Sequence, residues 1–245
     1  MRKILYAVLI LFVIHQQSNA QSDTAALTAS VLVIPYQPGM HLSDSDPDIA
    51  MGSQMNLQEM RDALRMGLVR ELNKNFAEVY NVIGTDNDFV IEAGHDMDVL
   101  YHSLMFESDS VYPLKDPKKF AIKDTAVKKN NSSKIKPEIS YINVAIQDQL
   151  LLPDFSEKYN ADYFIFLNEI DIKTHFDDCM DLALKIYRRD LKIHYSIFDK
   201  RGKQLYGDVA IVHFASNSND VDEIIGHNFP VLAKYILDSM KRVSG

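Results

Sequence analysis

The chain has 245 residues, 47% of them hydrophobic, and a formal charge of −8 from 26 Lys+Arg and 34 Asp+Glu. That acidic balance argues against general nucleic-acid binding, and the single cysteine, Cys179, excludes an internal disulfide. The length allows one domain with a sizeable core, held together by apolar burial rather than by bridges.

The amino terminus predicts export. MRKILYAVLILFVIHQQSNA carries Arg2 and Lys3, an unbroken apolar run from Ile4 to Ile14, and the small residues Ser18 and Ala20 where a signal peptidase reads. The apolar run is too short for a stable bilayer anchor. Residues 1–20 are therefore expected to be a cleaved signal peptide. The mature protein is expected in the periplasm or at the outer-membrane periphery, not as an integral membrane protein. No cysteine lies near the cleavage point to carry a lipid. Residues 21–29 read as a flexible leader, followed by a single α/β domain over 30–245.

SVLVIPY, Ser30 to Tyr36, is a β-branched run stopped by proline, which predicts a strand buried on both faces. HLSDSDPDIA, His41 to Ala50, places Asp44, Asp46 and Asp48 at alternate positions. Next comes a helix with Asn56 as N-cap and Glu59 completing a capping box; Leu57, Met60, Leu64, Leu68 and Leu72 mark one face, and its end falls near Phe76. A short strand at 81–84 and a weaker helix at 96–105 follow. Residues 107–137 lose periodicity and read as a long insertion. Helical segments are expected over 142–159, interrupted near Pro153. ADYFIFLNEIDIKT, Ala161 to Thr174, is the strongest strand signal. After a loop, strands at 188–198 and 204–214 form a hairpin in which Gly202 takes a positive φ. A helix over 220–243 with Pro230 as a kink or break closes the chain. The fold class expected is α/β (α+β): one mixed sheet with an antiparallel carboxyl-terminal hairpin, and helices packed on it.

VLVIPY, the capped helix, NADYFIFLNEI and LKIHYSIFDKRGKQLYG together resemble the α/β domain of the curli-secretion lipoprotein, the TolB amino-terminal domain and penicillin-binding-protein activator lipoproteins. The chain departs from them in lacking a lipidation cysteine and in carrying the insertion. The opening IPY…LSDSDPDIA…EMRDALRMGL is also similar to exported proteins of gram-negative envelopes. These resemblances imply a fold and a compartment, but no activity.

Among candidate sites, Asp44, Asp46 and Asp48 suggest a divalent-metal site, with His41 as a further ligand. A calcium hand is excluded because its sixth and twelfth positions hold Ile49 and Met55 instead of glycine and glutamate. The competing expectation is a solvated turn, with Pro47 holding Asp46 extended. HFDDC, His175 to Cys179, reads as a polar loop. The hairpin register puts His213 opposite Asp190 and His194 opposite Val209, a cross-strand arrangement expected to stabilise an exposed face. KDPKKFAIKDTAVKKNNSSKIK, Lys115 to Lys136, carries eight lysines and two aspartates. Lys118, Lys119, Lys128 and Lys129 are its candidate contacts to an anionic surface or an acidic partner. No Gly-rich phosphate loop, HExxH, GxSxG or CxxC occurs, so no catalytic residue and no cofactor is assigned. The function expected is a non-catalytic binding or assembly module of the envelope with a protein or glycan partner. A metal-dependent hydrolase using the Asp44–Asp48 stretch and a small-ligand carrier are the alternatives.

Overall fold

A computed structural model describes residues 29–84, 94–110 and 140–244. The expected signal peptide, the expected leader up to residue 28 and the lysines at 118, 119, 128 and 129 lie outside the described residues.

In chain order the elements are β1 (Ser30–Ile34), β2 (His41–Ser43), α1 (Asp46–Gly52), α2 (Leu57–Phe76), β3 (Asn81–Ile83), α3 (Gly94–His102), β4 (Leu104–Ser110), β5 (Ser140–Ile146), α4 (Leu151–Tyr159), β6 (Tyr163–Asp181), β7 (Ile186–Asp199), β8 (Gln204–Ala215) and α5 (Val221–Ser244). The main sheet runs β3-β1-β6-β7-β8, and β2 also pairs with β6. β1 is parallel to both β3 and β6, while β6–β7 and β7–β8 are antiparallel. β4 and β5 form a separate antiparallel pair. The mixed α/β sheet expected from the sequence is present.

Every residue of β1 is buried, because the alternation of a strand sends neighbours into two different cores. Val31 and Val33 face α2 and α5, among Leu64, Leu68, Phe229 and Ile236. Leu32 and Ile34 face the other way, among Met97, Leu100, Leu152 and Phe155 of α3 and α4. Within the core, β6 changes parity once. Ile165 and Leu167 belong to the α2/α5 core, and beyond a bulge at Asn168 the core residues become Ile170 and Ile172. A bulge inserts one residue and so exchanges the faces. The Asn168 amide is held there by the Ile142 carbonyl and the Ser196 hydroxyl.

The capping box at Asn56 and Glu59 is formed, and α2 ends at Phe76 as expected. Gly202 has φ +78° in the β7–β8 turn. Asp190 pairs with His213 and His194 with Val209, although a register shift between Ile197 and Phe198 pairs Phe198 with Gln204 at the turn itself.

Several expectations are corrected. Ser140–Ile146 is a strand rather than helix, and Pro153 sits in the first turn of α4, where a missing N–H costs nothing. Residues 107–110, expected within the insertion, belong to β4. HFDDC is not a loop: β6 runs through it to Asp181 before turning. Pro230 lies inside an unbroken α5. Asp46 is not extended; it opens α1 with Pro47 beside it, where the fixed φ of proline suits a helix start. No described helix is long and apolar enough to cross a membrane.

Candidate functional site at the base of a protruding ribbon

Open α/β sheets usually bind ligands beyond the carboxyl ends of their strands. Here the chain fills that position itself. Leaving β1, it resumes in the same direction as β2, parallel to Ile170 to Ile172 of β6, and buries Tyr36, His41 and Asp46. His41 donates from Nε2 to Asp46 at 2.9 Å, and Arg61 donates to the other Asp46 oxygen at 2.6 Å. The Tyr36 hydroxyl lies 3.4 Å from Nδ1 of His41. Burial alone would raise the Asp46 pKa, but the hydrogen bonds from His41 and Arg61 outweigh it and hold the carboxyl below its ordinary range. Burial also pushes the Tyr36 phenol upward. These pairs satisfy one another in a closed knot.

The other two aspartates go elsewhere. Both oxygens of Asp44 accept the Thr174 backbone N–H at 3.0 Å, and one also takes the Ser45 hydroxyl. Asp48 accepts from Arg189 at 3.1 Å. Asp44, Asp46 and Asp48 thus point to three separate partners rather than to one centre. Among the described residues, no group of three or more His, Cys, Asp or Glu is arranged to hold a metal ion. The solvated-turn expectation also needs correction, since Asp46 is 2% exposed.

Arg189 is the residue that sequence reasoning missed. It is 1% exposed, yet it donates to Thr174, Asn219 and Asp48. Burial depresses its pKa, and the Asp48 and Asp44 charges oppose that shift. A signal existed: Arg189 is in phase with Leu191, Ile193, Tyr195 and Ile197, all on the core face of β7. Its three partners lie far away in sequence, so the paired state itself was not legible.

Above Arg189 an open cleft of about 390 Å³ lies between α1, the 216–219 turn and the β6–β7 ribbon. Its polar floor includes Asp44, Asp48, Thr174, Arg189 and Asn219, and its apolar wall is built from Phe176, Leu184, Ile186 and Tyr187. Phe176 and Tyr187 meet edge-on with centroids 5.3 Å apart. The ribbon continues past the body to a tip at 182–185, where Met180 (60%), Leu182 (84%) and Leu184 (70%) are exposed together with Phe176 (72%). Cys179 is exposed on the same ribbon, with its thiol 3.6 Å from the Ile186 carbonyl, while His175 turns to Asp190. Nothing brings that thiol and imidazole together as a nucleophilic pair.

On the opposite face of the ribbon, Asp190 is contacted by His213 at 2.7 Å, His175 at 2.9 Å and Arg188 at 3.1 Å. Burial works to raise its pKa, but the His213 hydrogen bond and the charges of His213, His175 and Arg188 prevail and lower it. His194 is not on an exposed face. β5 covers it, and the Ile142 N–H donates to its Nδ1 at 2.9 Å. Burial lowers the His194 pKa to about 4 and raises that of its neighbour Glu169. The chain matches no family model, and no curated protein matches it.

Proposed function

We propose that this chain is a non-catalytic binding module of the cell envelope, exported to the periplasm or the outer-membrane periphery, which takes a protein partner on the tip of the β6–β7 ribbon. One observation carries the reading: four large apolar side chains, Phe176, Met180, Leu182 and Leu184, stand exposed on one protruding hairpin. Clusters of exposed apolar side chains rimmed by polar residues commonly mark interaction sites on soluble proteins. Asp177, Asp178 and Asp181 flank the apolar tip against Lys185 and the Asp178-paired Arg188, a balance that favours a protein surface with a basic rim over an anionic bilayer. The buried Asp46 and the exposed Asp48 are both engaged in internal pairs, which favours binding over hydrolysis. The envelope compartment rests on the signal-like amino terminus and on the family resemblance of VLVIPY and NADYFIFLNEI.

The test uses the mature chain with a photo-crosslinking residue at position 182. A discrete crosslinked protein should form in envelope extracts and disappear when Leu184 is replaced by Asp, while a crosslinker on the exposed α5 residue Val231 gives none. Adduct formation with lipid alone, or equal labelling from both positions, overturns the reading. Fractionation should recover a chain beginning at Gln21.

A further inference from the structure

We infer that the cleft at the base of the ribbon is a binding site for a neutral saccharide. This deepens the reading of the chain as a binding module, and it places a second ligand at the base of the ribbon, beside the tip and sharing Phe176 and Leu184 with it.

The ligand class follows from what the lining rejects. Four ionic groups line the cleft, the carboxylates of Asp44 and Asp48 and the cations of Lys185 and Arg189, so its formal charge is zero. An anion entering to meet Arg189 would have to displace Asp48 and then lie against Asp44 and Asp48 together. A cation meeting the free oxygen of Asp48 would lie beside the Arg189 guanidinium, in a cleft that Lys185 also lines. Arg189 is 1% exposed and cannot be rehydrated without unfolding its surroundings. A wholly apolar molecule would cover the floor of Thr174, Asn219 and Arg189 and remove their remaining access to water without replacing it. What remains is an uncharged molecule with hydroxyl groups on one side and carbon on the other.

A pyranose ring has that form. The edge-on pair of Phe176 and Tyr187 offers aromatic surface to the C–H face of the ring, and Phe176 is 72% exposed. The opposite side of the cleft offers the mixed donors and acceptors that hydroxyl groups need. Asn217 and Asn219 amides both give and take hydrogen bonds, and Asp48, with its side chain 59% exposed, keeps acceptor capacity beyond the oxygen held by Arg189. The Arg189 contacts to Thr174, Asn219 and Asp48 hold the floor in place before a ligand arrives, which reduces the ordering cost of binding. A cleft of about 390 Å³ falls at the lower end of the range for small-molecule sites, room for one or two sugar rings.

The experiment titrates the ¹⁵N-labelled mature protein with glucose, N-acetylglucosamine and mannose disaccharides. Glucuronate and glucosamine disaccharides serve as charged controls, and amide shifts are followed by NMR. Neutral sugars should shift the side-chain amides of Asn217 and Asn219 and the backbone of Tyr187. The Tyr187→Ala variant should bind about tenfold more weakly, while Tyr187→Phe, which keeps the ring, should bind nearly as the parent does. The tip variant Met180→Asp/Leu182→Asp, at two exposed residues that do not line the cleft, abolishes the proposed protein contact and should leave saccharide binding within about twofold. Absence of shifts with every neutral sugar, or equal binding of the charged ones, overturns the saccharide inference and leaves the protein-docking reading standing. Loss of crosslinking at residue 182 with saccharide shifts intact does the reverse.

Discussion

The three aspartates of SDSDPD show how little residue type decides without a partner. Asp46 is held by His41 and Arg61, Asp44 by the Thr174 amide, and Asp48 by Arg189. Of the three, only Asp46 is itself buried, so only there does loss of the charge leave a side chain in the interior without water to replace its partners. Asp46→Asn is expected to cost about 2–4 kcal/mol in urea unfolding, somewhat reduced because Arg61 keeps a side chain 42% exposed. The Asp46 pKa is lower folded than unfolded, so its contribution is present above the ordinary carboxylate pKa and is lost as pH falls through the folded value. The Asn variant should therefore lose less stability than the parent below about pH 4. His194 acts in a different window. Its folded pKa near 4 lies below the ordinary 6.5, so the neutral form is favoured in the fold and stability falls as pH drops from 6.5 toward 4, by about 3 kcal/mol at most. Glu169 faces it with the opposite sign: its raised folded pKa adds stability at low pH that is lost on going up. Asp171 and Lys192, the other charges acting on His194, oppose one another. A His194→Gln variant, which can still accept the Ile142 N–H, should flatten the unfolding free energy between pH 4 and 6.5; an unchanged slope would remove His194 as its source.

Elements were legible wherever a face repeats. β1, α2, the start of β6 and the β7–β8 hairpin all carry periodic apolar positions or a capping pair, and each stands where the pattern put it. β5 was not legible as a strand, because YINVAI is a short apolar run that suits a helix or a strand equally until tertiary pairing decides. Its pairing with β4 and the Ile142 bond to His194 supply that decision, and both come from distant sequence. The far half of β6 was hidden for the opposite reason: leaving the core, it has no buried face to write an alternation. The Arg189 floor of the cleft was half legible, its phase visible and its partners not. One close approach fixes how β5 sits on the sheet. A Cβ at Gly207 would overlap the Tyr141 hydroxyl, which also accepts the Gln204 amide. Gly207→Ala should destabilise by about 1–3 kcal/mol. Adding Tyr141→Phe should recover part of that loss, giving a non-additive double-mutant cycle in thermal unfolding. Strict additivity would mean that the two residues do not meet.

At the scale of the whole molecule, cohesion and recognition occupy different lengths of the same strands. β6 spans 19 residues, about 60 Å of extended chain, yet its contribution to the core shared with α2 and α5 ends at Ile172, and that of β7 begins at Leu191. Beyond those positions the ribbon carries charged pairs, the cleft wall and an apolar tip, none of which the core requires. Replacing residues 177–186 by an Asn-Gly turn should therefore change the body's unfolding free energy by no more than about 1 kcal/mol, the scale of surface changes. The same variant should lose the saccharide shifts, because Leu184 and Ile186 of the cleft wall go with it. Urea unfolding followed by circular dichroism reads the first quantity and NMR titration the second. A loss of several kcal/mol would mean that the ribbon belongs to the cooperative unit. Its exposed leucines would then be the cost of a structural strut, not the contact surface of a binding module.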